Sequence, residues 1–296
     1  MKVFVTGGTG FIGSRVVDLL LAADHTVTCL VRDPSKAASL EGKGVHLAVG
    51  SLDSLSLLAD QARNADATLH LAFIHDFTQF QKAVETEVKA VQAILEALKG
   101  GNKPFVITSG SSGVGLTSGP VDETHPMSPE FGQSRGLAEA LMRKGSDLGV
   151  RTCVLRLPPY VYGKDGAAFS KLLETKCCEI GQALYFDSGN ARAMCTYVDD
   201  IAKIYLLAMD RAPVGSVYNA TRDSVTSKEI AEALARKHRL PLHSISTQEA
   251  IEMLGFPGLI MSMNSEVTSI KAEKELAWNP EGSSKFFLEC LSDAQL

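Results

Sequence analysis

The sequence predicts an α/β protein: a Rossmann-type, doubly wound parallel sheet with a smaller, mostly helical C-terminal substrate domain. Three observations carry this. Apolar strand-like runs alternate with helical segments from the first residue onward. A glycine-spaced turn, VTGGTGFIGS at 5–14, joins the first strand to the first helix. After Pro158 and Pro159 the alternation breaks and a more helical part begins.

The elements follow in order. KVFVT (2–6) reads as a buried strand and 11–23 as a helix. Then come a strand at 26–31, a short helix at 35–40, a strand at 45–49, a helix near 53–64 and a strand at 67–72. Residues 77–98 form the clearest helix, because Phe77, Phe80, Val84, Val88, Val91, Leu95 and Leu98 step by threes and fours. A strand at 104–109, a helix opening at Pro129 and Glu130, and a strand at 151–157 complete the alternating region. Beyond it lie a helix near 167–175, a strand-like stretch at 195–198, a helix at 199–209 and a last strand of the sheet at 216–220. Helices near 227–238, 248–254 and 271–278 finish the chain. The expected division is a dinucleotide-binding domain over 1–157, with 191–221 returning to it, and a substrate domain from 158–190 and 222–296. No linker-like segment separates them, so they should pack as one body.

With 296 residues, 45% of them hydrophobic, the chain has ample material for a core. Its net charge is -5, from 29 basic and 34 acidic residues without a long run of either sign, which argues against nucleic acid or a membrane surface as partner. The apolar runs are too short to span a bilayer. Only Met1 and Lys2 precede the first strand, so no leader is expected. Six cysteines without framework spacing fit reduced thiols and a cytoplasmic location. The histidines show no HxxxH or paired Cys/His spacing, and no metal is expected.

The glycine turn carries the strongest chemical signal. Gly7 permits the tight turn, Gly10 lets the backbone approach a pyrophosphate, and Gly13 lets helix and strand pack closely. The amides of Phe11 and Ile12 would point at the phosphates from the helix N-terminus. At the end of the second strand stand Arg32, Asp33 and, one turn on, Lys36. A guanidinium suits a 2′-phosphate, which favours NADP(H). If Arg32 is only a surface charge and Asp33 takes the ribose, the cofactor is NAD(H).

TGGTGFIG, HLAF (70–73), TSG (108–110), RLPPYVYG (156–163), YVDD (197–200) and ELAWNP (275–280) stand in the order seen in one family. The chain resembles the extended short-chain dehydrogenases/reductases of the NAD-dependent epimerase/dehydratase type, over nearly its whole length. IHDF (74–77), TSG and RLPP look most like an atypical branch of that family. The resemblance implies cofactor contacts from Thr9, Ser51, Leu52, Leu71, Ala72, Phe73, Thr108 and Pro158 besides the residues named above. It also implies a Tyr-x-x-x-Lys motif on the helix after strand five, with a Ser or Thr ending that strand. Here the tyrosine position is Phe131, the lysine position is Arg135, and Glu139 matches a glutamate that commonly follows. The Ser/Thr position falls on Gly110, or on Ser111 if the loop shifts by one.

Phenylalanine cannot donate a proton, so the standard mechanism does not transfer. Arg135 can still hold a ribose. The resemblance offers Tyr160, after the two prolines, as a residue facing nicotinamide and substrate. His75, beside Asp76 at the C-terminal edge of the sheet, could act as acid or base. Ser111, with Ser109 and Ser112, could bind a substrate oxygen. Arg192 could meet an anionic substrate, and Met261 and Met263 with Leu259 and Ile260 could form an apolar pocket wall. Each of these also has a plain structural explanation. In similar proteins the helix at 77–98 forms a four-helix homodimer interface, although its apolar residues could equally cover the sheet.

The function expected is that of an NADP(H)-dependent oxidoreductase acting on a carbonyl or secondary alcohol of a small, fairly apolar molecule, with a non-standard proton donor. Loss of the phenol leaves two other readings open: a non-redox isomerase, cyclase or dehydratase, and a nucleotide-sensing binding protein.

Overall fold

The structure is a computed structural model that describes residues 1–132, 134–163 and 168–292. Its first part runs β1 (Lys2–Thr6), α1 (Phe11–Ala22), β2 (Thr26–Val31), α2 (Ala38–Glu41), β3 (His46–Val49), α3 (Leu55–Asn64), β4 (Ala67–His70), α4 (Phe80–Leu98) and β5 (Pro104–Gly110). Then come α5 (Pro129–Gly132), α6 (Gly136–Arg143), β6 (Arg151–Leu157), β7 (Tyr160–Tyr162), α7 (Ala168–Ile180), β8 (Ala183–Phe186) and β9 (Arg192–Tyr197). The chain continues through α8 (Val198–Arg211), β10 (Ser216–Asn219), β11 (Asp223–Thr226), α9 (Ser227–His238) and β12 (Leu242–Ile245). It ends with α10 (Thr247–Leu254), α11 (Phe256–Ser262), α12 (Ile270–Leu276) and α13 (Ser284–Ser292).

Seven strands form one sheet in the order β10-β6-β5-β4-β1-β2-β3, and every pairing in it is parallel. Side chains alternate across a strand, so each strand feeds two cores. Val3 and Val5 pack with Val16 and Val17 of α1 and Ile201 and Ile204 of α8. Phe4, between them, packs with Leu58 of α3, Val91 of α4 and Ala138 of α6. This is the doubly wound arrangement expected from the alternation.

α4 buries Val84, Val91, Leu95 and Leu98 inside the same chain. Its outward residues Gln81, Lys82, Glu85, Lys89, Gln92 and Glu96 are exposed. Phe77 lies in a 3-10 turn just before it. The helix expected from Pro129 is two pieces. Ser134 donates its hydroxyl to the Phe131 carbonyl at 2.8 Å, and Gly132 and Gly136 flank the break. Serine competing for the backbone and two glycines are enough to interrupt a helix there. Gln133 and Ala167, where the expected helix at 167–175 begins, lie outside the described residues.

The region after Pro158 holds more strand than expected. β7, β9 and β11 form a three-stranded sheet, and β8 pairs with β12. Within the segment 191–221, expected to return to the dinucleotide-binding domain, β9 pairs with β7 and β11 in the small sheet. The return is made by α8 and β10. The short strands β7, β8, β11 and β12 carry four residues or fewer each, too little for alternation to declare itself. α9 and α10 each open on a capping box, Thr226 with Glu229 and Ser246 with Glu249, which sets their first turns. No helix among the described residues is long and apolar enough to cross a membrane.

Candidate functional site

A cleft of about 320 Å³ opens at the C-terminal edge of the large sheet. The glycine turn forms one of its walls. Gly7 has a φ of 79°, and a Cβ there would lie 2.8 Å from the Ala72 amide nitrogen. A Cβ on Gly13 would collide with the Gly7 carbonyl. These two glycines are required by the packing of the turn itself. Gly10 differs: a Cβ on it would meet only the Gly7 carbonyl oxygen, at 3.2 Å, and otherwise open space. No side chain caps the N-terminus of α1, and its first turn holds no acidic residue. The first amides of a helix have no partner within it. An uncapped helix end behind a bare glycine fits an anionic pyrophosphate, and the residues present match that group.

Gly7, Gly10, Phe11, Ile12, Gly13, Leu71, Phe73, Thr108, Arg135 and Pro158 all line this cleft. Thr9, Arg32 and Lys36 are exposed outside its lining. Ala72 donates its amide to Thr6 Oγ1 at 3.2 Å, and Ser51 and Leu52 sit beyond the cleft, with Leu52 in the core. Asp33 accepts from the Ser35 amide and hydroxyl through a single oxygen, at 3.0 and 2.7 Å.

The wall that carries the chemistry comes from β5, the turn after it, and the loop after β4. Ser109, Gly110, Ser112 and His75 line it, together with Phe131. The buried Ser109 hydroxyl has no hydrogen-bond partner among the described residues. His75 packs edge-on against Phe73 and Phe77, with centroids at 5.5 and 6.1 Å. Burial beside these rings, and the Arg135 cation, hold its pKa below the ordinary histidine value. It is therefore neutral at pH 7.

Arg135 is held on three sides. It donates to the Thr108 carbonyl at 2.7 Å, pairs with Glu87 at 3.2 Å and lies 4.0 Å over the Phe73 ring. Burial raises the Glu87 carboxyl to about 7 despite that cation. Thr108 Oγ1 in turn bonds the Tyr205 hydroxyl at 2.6 Å. Tyr205 lines the cleft from α8, and burial raises its phenol above the usual range.

Two of the expected catalytic side chains lie elsewhere. Tyr160 is fully buried in the second core against Phe287, 5.4 Å away between centroids, and its hydroxyl has no partner. Strand alternation explains this: in β7, the neighbouring Val161 points to the cleft instead. Ser111 is buried in the turn after β5, outside the lining, while its neighbours Gly110 and Ser112 face the cleft. Arg192 is committed to Ser224 and Glu266. Ile260 lines the cleft and packs with Phe131 and Met263, whereas Met261 belongs to the second core. Sequence reasoning missed Glu87, Tyr205, Phe169 and Phe256. Tyr205 had a faint signal, since it falls on the inward face of α8 beside Ile201 and Ile204.

The model of the NAD dependent epimerase/dehydratase family matches residues 3–221. The chain belongs to that family. It is an extended short-chain dehydrogenase/reductase-like chain. An uncharacterized protein of Schizosaccharomyces pombe is 33% identical over 295 residues, which is 99% of each chain. The 4-hydroxy-2-methyl-3-oxo-4-farnesyl-3,4-dihydroquinoline-1-oxide ketoreductase of Stigmatella aurantiaca is 25% identical over 232 residues, 75% of this chain and 68% of its own. Among solved structures, the dTDP-glucose 4,6-dehydratase of Streptomyces venezuelae, with NAD bound, superposes with a TM-score of 0.81 at 20% identity. It covers 98% of this chain and 96% of its own length, and this likeness speaks for the fold alone. Phe131 and Arg135 both line this cleft.

Proposed function

We propose that the chain is an NADP(H)-dependent oxidoreductase that interconverts a carbonyl and a secondary alcohol on a small, fairly apolar molecule, with His75 in place of the missing phenol. One observation carries this reading. The open glycine turn, the unpartnered Ser109 hydroxyl and the neutral His75 share a single cleft. The ketoreductase among the relatives and the NAD in the similar dehydratase agree with a nicotinamide cofactor. Arg32 and Lys36 are exposed beside it, while one oxygen of Asp33 is taken by Ser35. Both facts favour a 2′-phosphate over a bare ribose.

NADP(H), when bound, supplies or accepts the hydride. Phe11 and Ile12 offer their amides to its phosphates, and Arg135 is the residue that would hold the ribose. Ser109 and Ser112 bind the substrate oxygen. In oxidation, neutral His75 takes the alcohol proton; in reduction, protonated His75 returns it to the forming alkoxide. The residues from 158–190 and 222–296 contribute Phe169, Phe256 and Ile260 to the cleft, which supports their assignment as the substrate-binding part. A cytoplasmic setting accords with six cysteines that show no framework spacing. A homodimer through α4 would have to form on that helix's polar outward face.

Spectroscopic loss of NADPH against a panel of carbonyl compounds tests the reading. Tight NADPH binding with no hydride consumed by any of them would sink it. For the cofactor choice, Arg32→Ala should raise the KM for NADPH roughly 10–100-fold, the worth of one charge-assisted phosphate contact. The KM for NADH should hardly move. Equal effects on both would assign the site to NAD(H).

A further inference from the structure

We infer that the substrate is an uncharged, planar aromatic or conjugated carbonyl compound, held flat against a wall of aligned phenylalanine rings. This rests on the reading of the cleft as a carbonyl site. Phe80 and Phe256 stack at 4.5 Å with their planes 21° apart. Phe77 is nearly parallel to both, at 27° and 25°, with centroids 6.4 and 6.2 Å away. All three rings are half-buried and line the cleft. They come from two distant parts of the chain, around α4 and at the start of α11, so their alignment is a tertiary feature. A flat ring can extend such a set of near-parallel rings by offset stacking, which a saturated skeleton cannot match.

The charges point the same way. Among the described residues, Arg135 is the one cation lining the cleft, and no carboxylate lines it. Arg135 already binds the Thr108 carbonyl, Glu87 and the face of Phe73, and its remaining donors are the ones assigned to the cofactor ribose. A charged group entering this wall would be desolvated without a partner. The remaining polar side chains of the lining are neutral groups: His75, Thr108, Ser109, Ser112 and Tyr205, whose hydroxyl is already bonded to Thr108. That set suits one carbonyl oxygen. A polyhydroxylated, anionic sugar nucleotide would find neither its charge nor its hydroxyls matched.

Three probes separate the components: 2-naphthaldehyde, its saturated counterpart decalin-2-carbaldehyde, and 6-formyl-2-naphthoate. Their dissociation constants are measured at pH 8 on the wild-type protein, alone and with NADP⁺, and NADPH turnover is followed in parallel. The naphthaldehyde should bind roughly tenfold tighter than the saturated aldehyde, the worth of about one good ring–ring contact. It should exceed the carboxylate by at least as much. Phe256→Leu and Phe77→Leu should each shrink the aromatic preference while NADP⁺ affinity stays unchanged. Equal or tighter binding of the saturated aldehyde or of the carboxylate overturns the inference, whatever the variants do. Selective naphthaldehyde binding without NADPH loss would overturn the redox reading and leave the substrate class standing. Higher kcat/KM for the saturated aldehyde would leave the redox reading and overturn the substrate class.

Discussion

Arg156→Leu should cost about 3–5 kcal/mol of stability, the usual result of stripping the partner from a buried charge. In a chain of this size that corresponds to a fall in Tm of roughly 6–15 °C. Arg156 on β6 is 1% exposed, and Glu139 on α6 is 3% exposed. The guanidinium donates to both carboxylate oxygens, at 3.0 and 2.5 Å. Without it, Glu139 keeps only Arg143, whose side chain is half open to solvent. Glu139 has little means of escape, because its helix is pinned over β6, where Thr152 donates to the Met142 carbonyl at 2.8 Å. The pair therefore anchors the helix that follows Phe131 and Arg135. Replacing both members, Glu139→Leu with Arg156→Met, should recover most of the loss, since two apolar side chains leave no orphaned charge. Urea unfolding of the single and double variants checks this. A loss below about 1 kcal/mol in the single variant would place the pair with ordinary surface bridges.

His75→Gln should lower kcat roughly 10²–10⁴-fold, the range for removal of a general acid–base group. The KM for NADPH should stay near the wild-type value, because the cofactor residues are untouched. The pH dependence has a definite sign. Burial and Arg135 hold the His75 pKa below its ordinary 6.5. Reduction needs the protonated ring, so its rate should rise as pH falls through the neutral range and level off only below the lowered pKa. Oxidation needs the neutral ring and should be flat from there upward. Glutamine does not titrate, and both slopes should vanish in the variant. Profiles of kcat in both directions measure this. An unchanged kcat would move the proton chemistry to Ser109, Ser112 or water.

The large sheet was legible because its strands recur as apolar runs in regular alternation with helices, even where β3, β4 and β10 hold only four residues each. The glycine turn was legible because only glycine fits at Gly7 and Gly13. Phe131 and Arg135 were singled out through the resemblance, which aligns them with the family's Tyr and Lys positions, and both line the cleft despite the break between α5 and α6. Tyr160 was misjudged because proximity to Pro158 and Pro159 does not say which way a strand residue faces. One position of register decides it, and Val161 has the cleft side. Ser111 lies in the turn after β5, where its neighbours Gly110 and Ser112 take the cleft side and it turns inward. Glu87 was invisible as a site residue: a lone glutamate on an amphipathic helix reads as solvated, and only the fold brings it to Arg135. Phe256 was hidden because α11 is seven residues long and begins after a glycine, with too few turns to show a period.

The central claim is that this cleft moves a hydride although residue 131 has no hydroxyl. It is tested most directly with NADPH carrying deuterium at the nicotinamide C4, an aromatic aldehyde as acceptor, and mass spectrometry of the alcohol. The account predicts one deuterium on the former carbonyl carbon from one face-labelled cofactor and none from the other, with cofactor and aldehyde consumed one for one. Product that carries no deuterium from either face, or that forms with no net loss of NADPH, would contradict it.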